Sequence, residues 1–270
     1  MRTAAVALAL AVLAASARGE FIQINTTLEI KDERLEVTVR NEGSSPAKDV
    51  RVLVDFLGGD VLGRLEAELP AGGVYQEDFE FDLSRAELPG LHPAVATVSY
   101  ADLEGNRFSA LVARPLPVGD AVRGDIHLEV FPLRLRGRAA VPVVVTNRSP
   151  RLKRVELELR VSPDIRARES VRSFEIGPWG REQFRFTLEN HSAREGSIYP
   201  AYAVAQYREG GRLYTWMAAA PVTVGSPAAS PKLFLWPGLI AAILLALVLA
   251  LAFRSRRRRR KSSARKRIST

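Results

Sequence analysis

Three histidines, many carboxylates and one aromatic-rich hairpin are the groups in this 270-residue chain that could do chemistry. His92, His127 and His191 stand far apart, and there is no cysteine and no HxH or HxxxH spacing, so a zinc site is not expected. The acidic pairs Asp32–Glu33 and Glu77–Asp78 alternate with apolar residues, which reads as a solvated sheet face rather than a paired-carboxylate active site. A nucleophile elbow, a Walker loop, a GxGxxG turn and a DxDxDG calcium loop are all absent from the sequence. Catalysis, cofactor and metal are therefore not expected, and a hydrolase with an unrecognised carboxylate pair is the least favoured alternative.

The hairpin is "YPAYAVAQYREGGRLYTWMA". With a turn centred on Gly210, Ala205 faces Tyr214 and Ala203 faces Trp216, leaving Val204, Leu213 and Met217 on the other side. Tyr214 and Trp216 are thus candidates for stacking a sugar or anchoring a partner. The plainer reading is that both rings fill the core or an interdomain contact. Trp179, in "IGPWGRE", is expected to cover a core edge from a turn. Asn25, Asn147 and Asn190 each open an N-x-S/T sequon, an N-glycosylation acceptor where the host has the machinery.

These groups sit on a duplicated β scaffold. "VTVRNEGSSPAKDVRV" at 37–52 is echoed by "VVVTNRSPRLKRVELEL" at 143–159. Further matches keep their order: "FEFDL" with "FRFTL", "PAVATVSY" with "PAYAVAQY", and "PLPVG" with "PVTVG". The chain therefore reads as two copies of one domain, 18–119 and 120–225. The first copy predicts strands at 21–30, 34–40, 49–56, 61–69, 75–82, 92–100 and 107–114. The second predicts them near 126–133, 140–146, 153–161, 170–176, 181–189, 199–207 and 212–223. Alternation of Leu35, Val37 and Val39, and of Val50, Val52 and Val54, puts an apolar set on one face of each strand. Asn41 and Asn147 end their strands in Asx turns, with Gly43 and then Pro46 or Pro150 reversing the chain. Seven short strands in each copy predict an all-β protein of two tandem immunoglobulin-like sandwiches. Without cysteine, each sandwich must be held by its core alone.

Both ends read differently from the body. Residues 1–17 form a signal peptide, with Arg2, an apolar run and an Ala-Ser-Ala cleavage pattern. Residues 226–232 are a Pro/Ser/Ala linker. Leu233–Phe253 contains no charge and matches a bilayer's thickness as a helix, with Trp236 at its outer end. The tail, 254–270, holds ten basic residues and no acid. Arg256, Arg257, Arg258, Arg259, Arg260 and Lys261 are expected to set topology and contact anionic lipid. Ser262, Ser263 and Ser269 beside them are candidate phosphorylation sites. The net charge of +9 belongs to this tail. The body has 28 basic against 30 acidic residues, which argues against nucleic-acid binding. The expected localisation is the plasma or inner membrane, single-pass type I, with the body outside the cytoplasm.

The pattern carried by Val37, Val39, Asn41, Gly43, Ala47, Val50 and Val52 resembles the cell-adhesion-related (CARDB-like) and NEW3-type immunoglobulin-like modules of bacteria and archaea. It covers about 16 residues well and both copies in outline. The resemblance implies a spacer, adhesion or protein-interaction role in the cell envelope, with a protein or polysaccharide partner. The alternative is an accessory subunit of a membrane complex that makes its contacts through the transmembrane helix and near domain. Its outline is similar to the β subunit of the translocon-associated complex, but that family has one sandwich, not two.

Overall fold

The computed structural model describes residues 21–225, which belong to one compact unit ending at Gly225. The expected signal peptide and linker, the apolar run at 233–253 and the basic tail lie outside the described residues. Among those described, no helix is long and apolar enough to cross a membrane. Apart from a single 3-10 turn at Leu83–Arg85, the regular structure is all strand.

The first copy contributes β1 (Ile24–Lys31), β2 (Arg34–Asn41), β3 (Ala47–Phe56), β4 (Gly59–Leu62), β5 (Glu66–Leu69), β6 (Val74–Glu80), β7 (Gly90–Ala101) and β8 (Arg107–Val118). The second contributes β9 (Ile126–Val130), β10 (Leu133–Leu135), β11 (Arg138–Asn147), β12 (Lys153–Val161), β13 (Ile165–Ala167), β14 (Val171–Ile176), β15 (Arg181–Asn190), β16 (Ile198–Glu209) and β17 (Arg212–Val224). Sheet β1-β2-β6 covers the first core, and sheet β13-β15-β11-β9 covers the second. Between them runs a ten-stranded sheet, β14-β12-β16-β17-β7-β3-β4, with β10 on β17, β5 on β3 and β8 on β7.

Period-two burial builds each core. Leu35, Val37, Val39, Val50, Val52 and Val54 are buried in the first, and Val143, Val145, Val155, Leu157 and Leu159 in the second. Each fully buried side chain of this size is worth about 1.5–3 kcal/mol of transfer free energy.

Three local differences from the sequence reading have physical causes. The expected 126–133 strand breaks in two because Pro132 has no N–H to continue the ladder. The chain then changes sheets, and β10 pairs in parallel with β17. The expected 61–69 strand is likewise split, because Gly63 packs so closely on Glu77, Phe79 and Tyr75 that a Cβ would meet all three. At Asp49, φ is 51° and the β3–β7 register slips between Lys48 and Arg51. That bulge, not a loop, accounts for a residue of drift between the copies.

The two copies do not stand as separate beads. Within the ten-stranded sheet they join at one residue pair, Leu213 with Gly90, where β17 and β7 run parallel. Since β16 is antiparallel to β17, the equivalent strands β7 and β16 run in opposite directions. The copies are thus related by an approximate two-fold axis. Their half-sheets pack with the outward faces together: Val95, Leu111 and Ala113 of the first meet Tyr202 and Met217 of the second. These strands are covered on both sides, one by their own core and the other by the sister copy.

Candidate interaction clefts

The aromatic hairpin is tighter than its sequence suggested. Gly210 and Gly211 form a two-residue turn, both with positive φ (57° and 71°), the geometry of a type I′ turn. The register is therefore shifted from the sequence reading: Tyr214 faces Tyr207, Trp216 faces Ala205, and Ala203 faces Ala218. The Tyr214 ring stacks on Tyr207 at 4.8 Å and 9°. Trp216 lies 5.0 Å from the His127 ring. Both are partly buried against the second core. Of the two tryptophans among the described residues, Trp179 is the more exposed, at 67%, with φ of 57°. Its expected place over a core edge is not what the fold gives. Asn147 N–H donates to Gly180 O as Asn41 N–H does to Gly73 O, so Trp179 holds the position of Gly72, whose φ is 75°. A left-handed conformation costs a non-glycine residue roughly 1–2 kcal/mol.

The three sequon asparagines have three different surroundings. Asn25 is exposed and donates to Glu42 at 3.0 Å. Asn190 bonds the Ala193 backbone with both ends of its amide. Asn147 is fully buried, and its Nδ2 donates to the carbonyls of Arg151, Ile176 and Gly177. No room is left on that nitrogen for a glycan. Asn41 does the same work in the first copy, donating to the Ser45 and Leu69 carbonyls. In both, Oδ1 accepts the N–H two residues on, closing the expected Asx turn.

Beside this turn lies a buried cation that the sequence reading missed. Lys153, 3% exposed, occupies the position of Ala47; it pairs with Glu209 and, at 3.1 Å, with Asp125. Burial pushes the ammonium down, but its hydrogen bonds to Glu209 and Asp125 outweigh this and hold it above its ordinary value. The same hydrogen bond holds Glu209 below the usual carboxylate range. A depressed carboxyl contributes stability above its unfolded pKa and loses it as pH falls through the folded value. The raise on Lys153 has the same ion pair as its source, so it too fades when Glu209 protonates, leaving a buried ammonium that burial disfavours. Lys153→Met is therefore expected to be less stable than wild type at neutral pH, with the gap closing below pH about 4. Urea midpoints across pH check this; a gap that stays constant into acid would refute the ion-pair assignment.

Charged pairs line the contact between the copies. Asp55 pairs in register with Val95, and Arg160 with Tyr202, so the two hold equivalent positions. They meet at 3.0 Å, on the approximate two-fold axis. Arg160 also reaches Glu158 at 2.7 Å. Burial pushes the Glu158 carboxyl up, while Arg160 pulls it the other way. The Ser109 and Ser162 hydroxyls sit 2.6 Å apart and reach Asp164 at 2.5 and 3.1 Å. Thr215, at the position equivalent to Ser109, donates to Leu91 O at 2.5 Å.

A cleft opens on each flank of this contact. One, of about 370 Å³, is lined by Asp55, Glu87, His92, Glu156, Gln206 and Arg208, among others. Arg208 pairs there with Glu87 at 3.1 Å, and His92 Nε2 bonds Leu88 O at 2.8 Å. The other, of about 480 Å³, is lined by Phe21, Ile22, Tyr100, Leu103, Phe108 and Arg194, among others. Arg194 reaches Asp102 at 3.9 Å and lies 6.0 Å from the Phe108 ring centre. Both mix charged and apolar side chains, and the second adds the rings of Phe21, Tyr100 and Phe108 to Asp102, Glu104 and Glu195. Among the described residues no group of three histidines or carboxylates could hold a metal ion.

No family model matches the chain, and no curated protein does. Among solved structures, it is similar at 11% identity to the native form of Escherichia coli alpha-2-macroglobulin, over 77% of this chain and 17% of that one, with a TM-score of 0.33. Red sea bream transglutaminase overlaps at 11% identity, over 77% of this chain and 32% of the enzyme, with a TM-score of 0.25. A Porphyromonas gingivalis protein of unknown function overlaps at 13% identity, over 75% of this chain and 99% of its own length, with a TM-score of 0.30. The chain thus spans about a sixth of the alpha-2-macroglobulin it overlaps.

Proposed function

We propose that this chain is a non-catalytic, single-pass type I membrane protein that presents two immunoglobulin-like sandwiches outside the cytoplasm as an adhesion, spacer or protein-interaction module. The observation that carries the reading is the face-to-face packing of the two copies, which makes one stiff body with recognition clefts on its flanks. The strand order in the first copy, three strands over four or five, suits an immunoglobulin-like sandwich. The buried polar groups Asn41, Asn147, Lys153, Ser109 and Ser162 all have structural partners, which supports a framework role for them. The anchor is read from the uncharged run at 233–253 and the basic tail behind it.

Affinity capture of the full-length protein from native membranes in mild detergent tests the reading. A protein that co-purifies with wild type, and is lost with Glu156→Arg in the first cleft, supports it. A partner kept by that variant but lost when 233–253 is replaced by an unrelated apolar run favours the accessory-subunit alternative. Recovery of the chain alone in every case overturns the protein-partner reading.

A further inference from the structure

Three of the body's exposed large apolar side chains and two exposed arginines stand at the end where the chain leaves it. Gly225 N–H donates to Leu135 O at 2.9 Å and Val224 N–H to Ser197 O at 2.9 Å, so the exit is pinned on both sides. Arg134 and Arg136 flank it, their side chains 3.6 and 3.4 Å from where a Cβ on Gly225 would stand. Both are exposed, and neither makes an ion pair among the described residues. Ile198, next to Ser197, is 66% exposed. The first copy brings Leu103, 60% exposed, and Phe21, 49% exposed, to the same end, on the wall of the aromatic cleft that Ser197 and Arg194 also line. Carboxylates are present here too: Asp102 pairs with Arg194 and accepts from Asn106, Glu104 accepts from Asn106, and Glu195 lines the same cleft.

Seven residues, 226–232, separate Gly225 from the uncharged run that starts at Leu233. Fully extended, they let this end stand no more than about 28 Å from it. The opposite end of β17 lies about 40 Å further off, at the usual rise of a strand. Protruding apolar side chains with two exposed arginines beside them, Arg134 and Arg136, suit a surface that settles into the headgroup region of a bilayer. There each cation adds about 1 kcal/mol against anionic lipid.

We infer that this end of the body, through Phe21, Leu103, Ile198, Arg134 and Arg136, docks on the outer leaflet of the membrane, with anionic lipid as its ligand. The inference rests on the anchored reading of 233–253. The cleft face and the tether then act together, and the body is held close to the bilayer rather than swinging on its linker.

The chain has no cysteine, so single substitutions give unique labelling sites. Ile198→Cys, Leu103→Cys and, as the distal control, Leu152→Cys (58% exposed in the wild type) would each carry an environment-sensitive fluorophore. The full-length proteins would be reconstituted in phosphatidylcholine–phosphatidylglycerol vesicles. Labels at 198 and 103 should be several-fold better shielded from aqueous iodide than the label at 152. Adding Arg134→Glu with Arg136→Glu should bring them toward the control. Equal quenching at all three sites overturns the docking, and full shielding in the double-arginine variant overturns the part given to the cations. Carbonate extraction keeps the two readings apart. A protein released by carbonate sinks the anchor and the docking with it, whereas one that is retained but shows equal quenching sinks the docking alone.

Discussion

Asn147→Asp should unfold the second sandwich's turn at neutral pH, with a loss of about 3–5 kcal/mol in urea unfolding. The substitution changes almost no volume. It replaces an NH₂ that donates to three carbonyls, those of Arg151, Ile176 and Gly177, by an oxygen that faces the same three. The site is fully buried, so water cannot relieve the repulsion. The carboxyl created there should therefore titrate well above its ordinary value. A raised folded-state pKa means that the variant regains stability relative to wild type as pH falls and the acid protonates, since it can then donate one of the lost bonds. Asn41→Asp should behave alike but less severely, because its Nδ2 serves two carbonyls rather than three. A variant that matched wild type at neutral pH, or whose deficit grew in acid, would show that the asparagine amide is not what holds the turn.

Gly90→Ala should separate the two copies while leaving each core folded. A Cβ on Gly90 would lie 1.9 Å from the Leu213 carbonyl oxygen, and φ there is 148°. Neither strain can be relaxed locally, because Leu213 N–H is bonded to Pro89 O at 3.0 Å and Thr215 to Leu91 O. Together the strained backbone and the broken bonds should cost about 3–5 kcal/mol. The readout is hydrogen exchange: the Leu213 amide should lose protection while amides of β2, β3, β11 and β12 keep theirs. Gly105→Ala is the control, with φ of 83° but no atom within 4 Å of the added Cβ. If the two variants behaved alike, backbone strain alone would explain the effect and the close approach of the copies would not.

Much of the sandwich was legible because its determinants are local. Leu35, Val37 and Val39 announce a half-buried strand by alternation alone. Asn41 and Asn147 announce their turns because an Asx turn needs only the next two residues. The contact between the copies was not legible, although a signal existed. Strands β7 and β16 read "PAVATV" and "PAYAVA", nearly continuous apolar runs, as strands covered on both faces do. The pairing of Asp55 with Arg160 depends on residues far apart in the chain, and no local pattern marks it. The hairpin register failed for a smaller reason: the turn was centred on Gly210, whereas Gly210 and Gly211 share it. Trp179 was misplaced because its backbone sits where the sister copy uses glycine, a conformation that sequence preference argues against.

The ion pair on the two-fold axis has a consequence for how the copies choose each other. In a pairing of two first copies, two Asp55 carboxylates would face across the axis. In a pairing of two second copies, two Arg160 guanidinium groups would. Like charges brought together in this partly exposed contact disfavour each such product, whereas one first copy and one second copy satisfy both charges. The duplication has thus become self-discriminating. Where chains crowd together, like halves are disfavoured as partners, and each half is best matched by its unlike sister.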